Sequence, residues 1–82
     1  MAESEIDARA LACPLPVIML AKAAAVAADG DLITVWCTDP AARIDIPAWA
    51  RMTGNYVESG PETTTDGPAY AVTVRCSKTA AS

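Results

Sequence analysis

From residue 13 to residue 38 the chain reads CPLPVIMLAKAAAVAADG and then DLITVWCT, and this passage limits the fold more than any other. Pro14 and Pro16 stand where a helix begins, because first-turn amide hydrogens have no intrahelical acceptor and a proline there forfeits nothing. Alanine favours the helix that follows, and Gly30 stops it. Apolar residues run almost all the way round it, with Lys22 the one internal charge, which predicts a helix covered on more than one side. Residues 31–38 are β-branched and nearly continuously apolar, which predicts a central strand buried on both faces. Upstream, EIDAR (residues 5–9) alternates polar and apolar as a short strand does. A strand, a helix and a strand in this span make a right-handed crossover between parallel strands.

The rest of the chain completes the pattern. TDPAARIDIPAWARMTG carries two helix-start signals, Asp39-Pro40 and Asp45-x-Pro47. They predict a short helical turn near 40–43 and a main second helix over 46–53, stopped at Gly54. NYVESG and PAYAVTVRCS read as strands, joined by PETTTDGP with its Asp66-Gly67 turn signal into a hairpin. The order is βαβαββ. It predicts an α+β, two-layer sandwich with a mixed four-stranded sheet and both helices packed on one face, a single domain over residues 1–82. The sequence has no phenylalanine, so large core side chains are scarce. The expected core is Ile6, Leu11, Val17, Ile18, Leu20, Leu32, Ile33, Val35, Ile44, Ile46, Val57, Val72 and Val74, with Trp36, Trp49, Tyr56 and Tyr70.

Ten acids against six bases leave a net charge of −4. That disfavours direct nucleic-acid binding, which needs a basic surface, and leaves a protein partner open. Three cysteines without a CxxC do not make a disulfide framework. The acids Glu3, Glu5 and Asp7, the early prolines and Lys22 argue against a signal peptide or a membrane span. A cytoplasmic, reducing setting is expected, with no membrane association.

Cys13 is the residue with a physical reason to react. It sits where a helix N-cap belongs, and unpaired amide hydrogens with the positive end of the helix dipole favour thiolate over thiol. Pro14 and Pro16 stiffen the loop around it. The chain contains no histidine, which removes Cys-His hydrolytic chemistry. Exchange chemistry remains: disulfide, persulfide or oxidation sensing. A thioredoxin-like dithiol needs a second cysteine at position 16, which is proline. The competing reading makes Cys13 a small hydrophobe at a helix start. Cys37 and Cys76 read as packing residues, and the cysteine spacings give no local metal-ligand pair, so no metal site is expected. Arg9 lies close enough in sequence to attract an anionic persulfide. Lys22, two and a half turns on, is too far to tune a thiol. Asp39, Asp45 and Arg43 read as caps and surface charge, and Trp49 as core.

The run DARALACPLPVIMLAKA…GDLITVWCTDPAARIDIPAW…TGNYV resembles the TusA (SirA-like) sulfur-carrier family over residues 5–57, with the terminal hairpin agreeing in pattern. The CPxP motif at residues 13–16, Lys22, Gly30-Asp31, Asp39-Pro40 and DIPAW at residues 45–49 all fall in family order and spacing. The resemblance implies a βαβαββ sandwich without a cofactor, in which Cys13 accepts sulfane sulfur as a persulfide and Pro14 and Pro16 shape its loop. It implies a donor, a cysteine desulfurase or a rhodanese, and an acceptor sulfur-relay protein. The carrier would act with partner enzymes rather than as a stand-alone catalyst. The outlet would be tRNA thiolation, cofactor sulfuration or oxidative sulfur metabolism. Arg9, Leu15, Lys22, Asp39 and Asp45 become candidates for partner docking. The chain departs from the family at Ala10, where glycine is usual, and at Leu15, where glutamate is common. From another functional class, the alternative is a non-catalytic interaction or regulatory module in which CPxP is only a structural cap.

Overall fold

The computed structural model describes residues 3–12, 14–63 and 69–77. Its elements are β1 (Glu3–Ala8), α1 (Leu15–Ala25), β2 (Leu32–Cys37), α2 (Ala42–Thr53), β3 (Tyr56–Thr63) and β4 (Tyr70–Arg75). The strands form one sheet in the order β1-β2-β4-β3. β1 runs parallel to β2, while β2–β4 and β3–β4 are antiparallel. The predicted α+β sandwich is therefore the architecture, with the terminal hairpin inserting β4 at the centre and leaving β3 at the edge. The Asp66-Gly67 turn signal lies outside the described residues.

One face of the sheet turns Ala8, Ile33, Val35, Cys37, Tyr70, Val72 and Val74 toward Leu20 and Ala24 of α1 and Ala42, Ile46 and Ala50 of α2. A core with few large side chains is thus filled by alanines and two cysteines. These small residues on the inner helix faces let backbone and sheet approach closely, and close packing is what burial rewards. Ile18, Ile44, Tyr56 and Val57, expected inside, are exposed.

β2 corrects the expectation of a strand buried on both faces. Its burial alternates, with Ile33, Val35 and Cys37 inside and Leu32, Thr34 and Trp36 half-buried on the open face. Cross-strand contacts supply the cover there. The Thr34 and Thr73 hydroxyls lie 2.8 Å apart, and Trp36 Nε1 donates to Glu5 Oε1 at 3.1 Å.

α1 is shorter and barer than expected. Pro16, Leu20 and Ala24 are buried, whereas Leu15 is 46% and Ile18 43% exposed, because α1 has a single sheet face and one helix to lie against. α2 corrects the two-helix reading of residues 40–53. Ala41 is its N-cap, and the turn leading into it is closed by Asp39, whose carboxylate accepts the Ala41 amide at 2.9 Å and whose carbonyl accepts the Ala42 amide at 3.1 Å. Ala42, Arg43 and Ile44 bond three residues back, so the first turn is tight and 3₁₀-like. Pro47 then lies inside the helix rather than at its start. Gly54 ends α2 in the left-handed conformation as predicted, at φ 80°.

Candidate functional site

The parallel register sets Ala8 at the end of β1 opposite Cys37 at the end of β2. Each helix follows its strand and returns antiparallel to it, so both helix N-termini open at this one edge of the sheet. β4 runs the other way and contributes its first residue, Tyr70, opposite Cys37. The loop of residues 9–14 leaves from the same edge. Cys13 lies outside the described residues, whereas Ala12 and Pro14 on either side are described.

The loop begins with a tight turn over residues 8–11, in which the Leu11 amide donates to the Ala8 carbonyl at 3.2 Å. Ala10, third in that turn, has φ 68°. This is type II geometry, whose third position favours glycine, so Ala10 holds a conformation that an L-residue disfavours. Left-handed backbone costs an L-residue roughly 1–2 kcal/mol. Ala10→Gly is therefore expected to raise stability by about 1 kcal/mol, read as a higher urea midpoint; an unchanged or lower midpoint would show that the turn is not strained. The Ala10 amide donates to Thr38 Oγ1 at 2.8 Å. At its other end the loop is tied by the Leu15 amide to the Ala12 carbonyl at 2.9 Å.

Pro14 takes the N-cap position of α1 that the sequence reading assigned to Cys13. Its carbonyl accepts the Ile18 amide at 3.0 Å, and Pro16 occupies the second helical position, where its missing amide is not needed. Pro14 is exposed at the N-cap, whereas Pro16 is buried and packs the first turn of α1 into the core.

Arg9 is turned back on its own strand. Its Nε and Nη2 each donate to the Asp7 carboxylate at 2.9 Å, and its backbone amide does so at 3.1 Å. Those hydrogen bonds hold Asp7 down at about 2, from the usual 3.8. Arg9 is accordingly a matched charge, not the open cation expected near a persulfide. Leu15 and Ile18 are exposed beside the loop, and Lys22 extends the same stripe at i+7, about 10 Å farther along α1. Asp45 lies in the first turn of α2, half-buried. The structure thus brings Arg9, Leu15 and Asp39 to one edge, leaves Asp45 a turn below it and puts Lys22 at the far end of α1. Trp49 packs at the margin of the core.

A buried cluster that sequence reasoning missed completes this edge. Tyr70, 2% exposed, donates its hydroxyl to the Asp39 carbonyl, and the Arg43 guanidinium stacks 5.2 Å above its ring. Burial, with smaller contributions from Cys37 and Asp39, pushes the Tyr70 hydroxyl up to about 12. Burial likewise raises the Cys37 thiol; contact with the Tyr70 hydroxyl offsets part of this, and Asp39 adds to it. Cys37 therefore stays a thiol, in keeping with a packing role. No local signal marks this cluster, because Tyr70 and Cys37 meet only through the β2–β4 register.

The Tyr70 shift has a pH signature. Below pH 10 the phenol is protonated in both states, but between about 10 and 12 the unfolded chain ionises while the folded one does not. Unfolding then releases a proton, so the stabilisation present below pH 10 is lost as pH rises through the folded value. The urea midpoint should fall across this window, and Tyr70→Phe should flatten that fall; a decline unchanged in the variant would assign it elsewhere.

A concavity of about 520 Å³ lies away from this edge, between the C-terminal half of α2 and β3. A smaller one of about 320 Å³ sits on the open sheet face against Trp36, Glu5, Asp7 and Arg9. No helix among the described residues is long and apolar enough to cross a membrane.

Comparison with known proteins agrees with this geometry. The family model described as Sulfurtransferase TusA matches residues 4–75. The sulfur carrier protein TusA of Allochromatium vinosum is 35% identical over 60 residues, 73% of this chain and 79% of that protein. A putative sulfur carrier protein of Neisseria meningitidis serogroup A is 37% identical over 62 residues, 76% of this chain and 84% of that protein. The crystal structure of a SirA-like protein from Desulfitobacterium hafniense superposes with a TM-score of 0.76 at 28% identity, covering 92% of this chain and 99% of that one.

Proposed function

Because the chain belongs to the TusA sulfurtransferase family, we propose that it is a sulfur carrier, taking up sulfane sulfur as a persulfide on Cys13 and passing it to an acceptor protein. The observation that most supports this is the convergence of two helix N-termini on the edge from which the 9–14 loop departs. A thiolate carried by this loop gains from the dipole of α1, the helix that directly follows it.

The transfer needs no outside oxidant. The Cys13 thiolate attacks the terminal sulfur of a donor persulfide, a new sulfur–sulfur bond forms, the donor's own bond breaks, and the donor thiolate departs with the electron pair. Passage to the acceptor repeats the exchange in the opposite sense. No residue of this chain has to act as acid or base beyond keeping Cys13 ionised, which suits a carrier that works with partner enzymes. A cysteine desulfurase or a rhodanese fits the donor role, and a second sulfur-relay protein the acceptor role. Leu15 and Ile18, exposed beside the loop, with Lys22 farther along the same stripe, are the surface such partners would meet. Cys37 and Cys76 are buried core residues, and the setting proposed for this chemistry is a reducing cytoplasm.

The test is a mass measurement after incubation with a persulfide donor. A gain of about 32 Da, one sulfur atom, that is lost on reduction supports the reading. No gain would overturn it and favour a non-catalytic interaction module.

A further inference from the structure

We propose that Thr38 is a positioning residue for sulfur transfer, its hydroxyl clamping the turn that leads into Cys13; the proposal rests on the carrier reading of that cysteine. Ala10 holds a left-handed φ of 68° without being glycine. Such a conformation persists in a non-glycine residue only where its surroundings over-determine it. Two contacts do so here: the 3.2 Å bond from the Leu11 amide to the Ala8 carbonyl, and the 2.8 Å bond from the Ala10 amide to Thr38 Oγ1.

The second contact comes from 28 residues away, across the sheet. The parallel ladder ends at the pair Ala8 and Cys37, so beyond it no backbone acceptor of β2 continues to hold the β1 side. Thr38, the next residue after β2, replaces that missing acceptor with its side chain. Beyond the clamp the chain has little slack. Leu11 packs against the core, and the Ala12 carbonyl already accepts the Leu15 amide. One residue, Cys13, separates Ala12 from the N-cap of α1. Removing the Thr38 acceptor leaves an alanine free to abandon a conformation it disfavours, and the loop then samples other paths. Glycine at position 10 has no such preference, so the clamp should matter only while position 10 is alanine.

The experiment compares wild type, Thr38→Val, Thr38→Ser and the double variant Ala10→Gly/Thr38→Val. Persulfide loading rate, the pH dependence of Cys13 alkylation and Ala10 amide exchange are read on protein shown folded by circular dichroism. Thr38→Val is expected to load about tenfold more slowly, the scale of one lost hydrogen bond, and to shift the alkylation profile. Thr38→Ser should behave as wild type, and Ala10→Gly should restore most of the rate to the valine variant. A valine variant that loads and titrates as wild type would overturn the proposal, as would a glycine double variant no faster than Thr38→Val. Rapid exchange of the Ala10 amide in the wild type would overturn it without any substitution. If the wild type takes up no sulfur, the carrier reading fails instead, and protection of the Ala10 amide still reports whether the clamp exists.

Discussion

A Cys13→Ser chain, incubated with a persulfide donor, is expected to take up no sulfur, while Cys37→Ala and Cys76→Ala each keep the full adduct. The difference follows from access and ionisation together. Cys37 is 0% and Cys76 1% exposed, so a donor sulfur has no line of approach to either. Burial also raises the Cys37 thiol, which removes the thiolate that exchange requires. Serine cannot substitute at position 13, because its hydroxyl does not ionise near neutral pH and cannot form a sulfur–sulfur bond. The loss should be complete, not partial. Unfolding the Cys13→Ser chain before adding donor should restore uptake at Cys37 and Cys76, which shows that the fold, not the chemistry of those thiols, excludes them. An adduct on folded Cys13→Ser protein would assign the carrier role to another residue.

Gly60→Ala is expected to be the most damaging single methyl group in the β3–β4 hairpin. A Cβ there would meet the Ala71 carbonyl oxygen at 2.4 Å, the Val72 Cα at 3.1 Å and the Glu62 nitrogen at 3.2 Å. All three are backbone atoms, so no side chain can swing aside. The residue also holds φ 95°, where an L-residue is strained. Overpacking costs about 1–3 kcal/mol and left-handed backbone about 1–2, so the loss should be about 2–5 kcal/mol. A folded chain of 82 residues has only about 4–12 kcal/mol to lose, so a substantial part of the stability goes. Gly54→Ala is the matched control. It shares the positive φ, at 80°, but a Cβ there meets nothing within 4 Å, so only the conformational cost of about 1 kcal/mol applies. Urea unfolding of the two variants checks this. Equal midpoints would mean that β3 does not press against β4 at this point.

The close approach at Gly60 belongs to a strand that was only partly legible. NYVESG predicted a strand ending near residue 60, yet β3 continues to Thr63 through two register shifts against β4. Proline and threonine after Gly60 read locally as a loop, and pairing with β4 overrides that preference. Pro47 shows the same competition in a helix. Locally it signals a start, but the turn closed by Asp39 already leads into α2 at Ala42, and the helix carries the proline inside. The open face of β2 was misread for a related reason. Leu32 and Trp36 are apolar in either a covered or a bare sheet, and periodicity alone does not say which.

What the sequence by itself determined is what short-range physics decides: proline and glycine punctuation for α1, β-branched runs for the strands, the βαβ crossover, and a cysteine ahead of a helix start. Its missing histidine narrowed that cysteine to exchange chemistry. The tertiary structure alone decided which groups surround the loop. Thr38 reaches Ala10 across 28 residues, and Tyr70 reaches Asp39 across 31, because the strand order β1-β2-β4-β3 lays their ends side by side. Local propensity sets what each segment becomes, while the position of a hydroxyl or a charge relative to the loop is set by register, which no segment carries within itself.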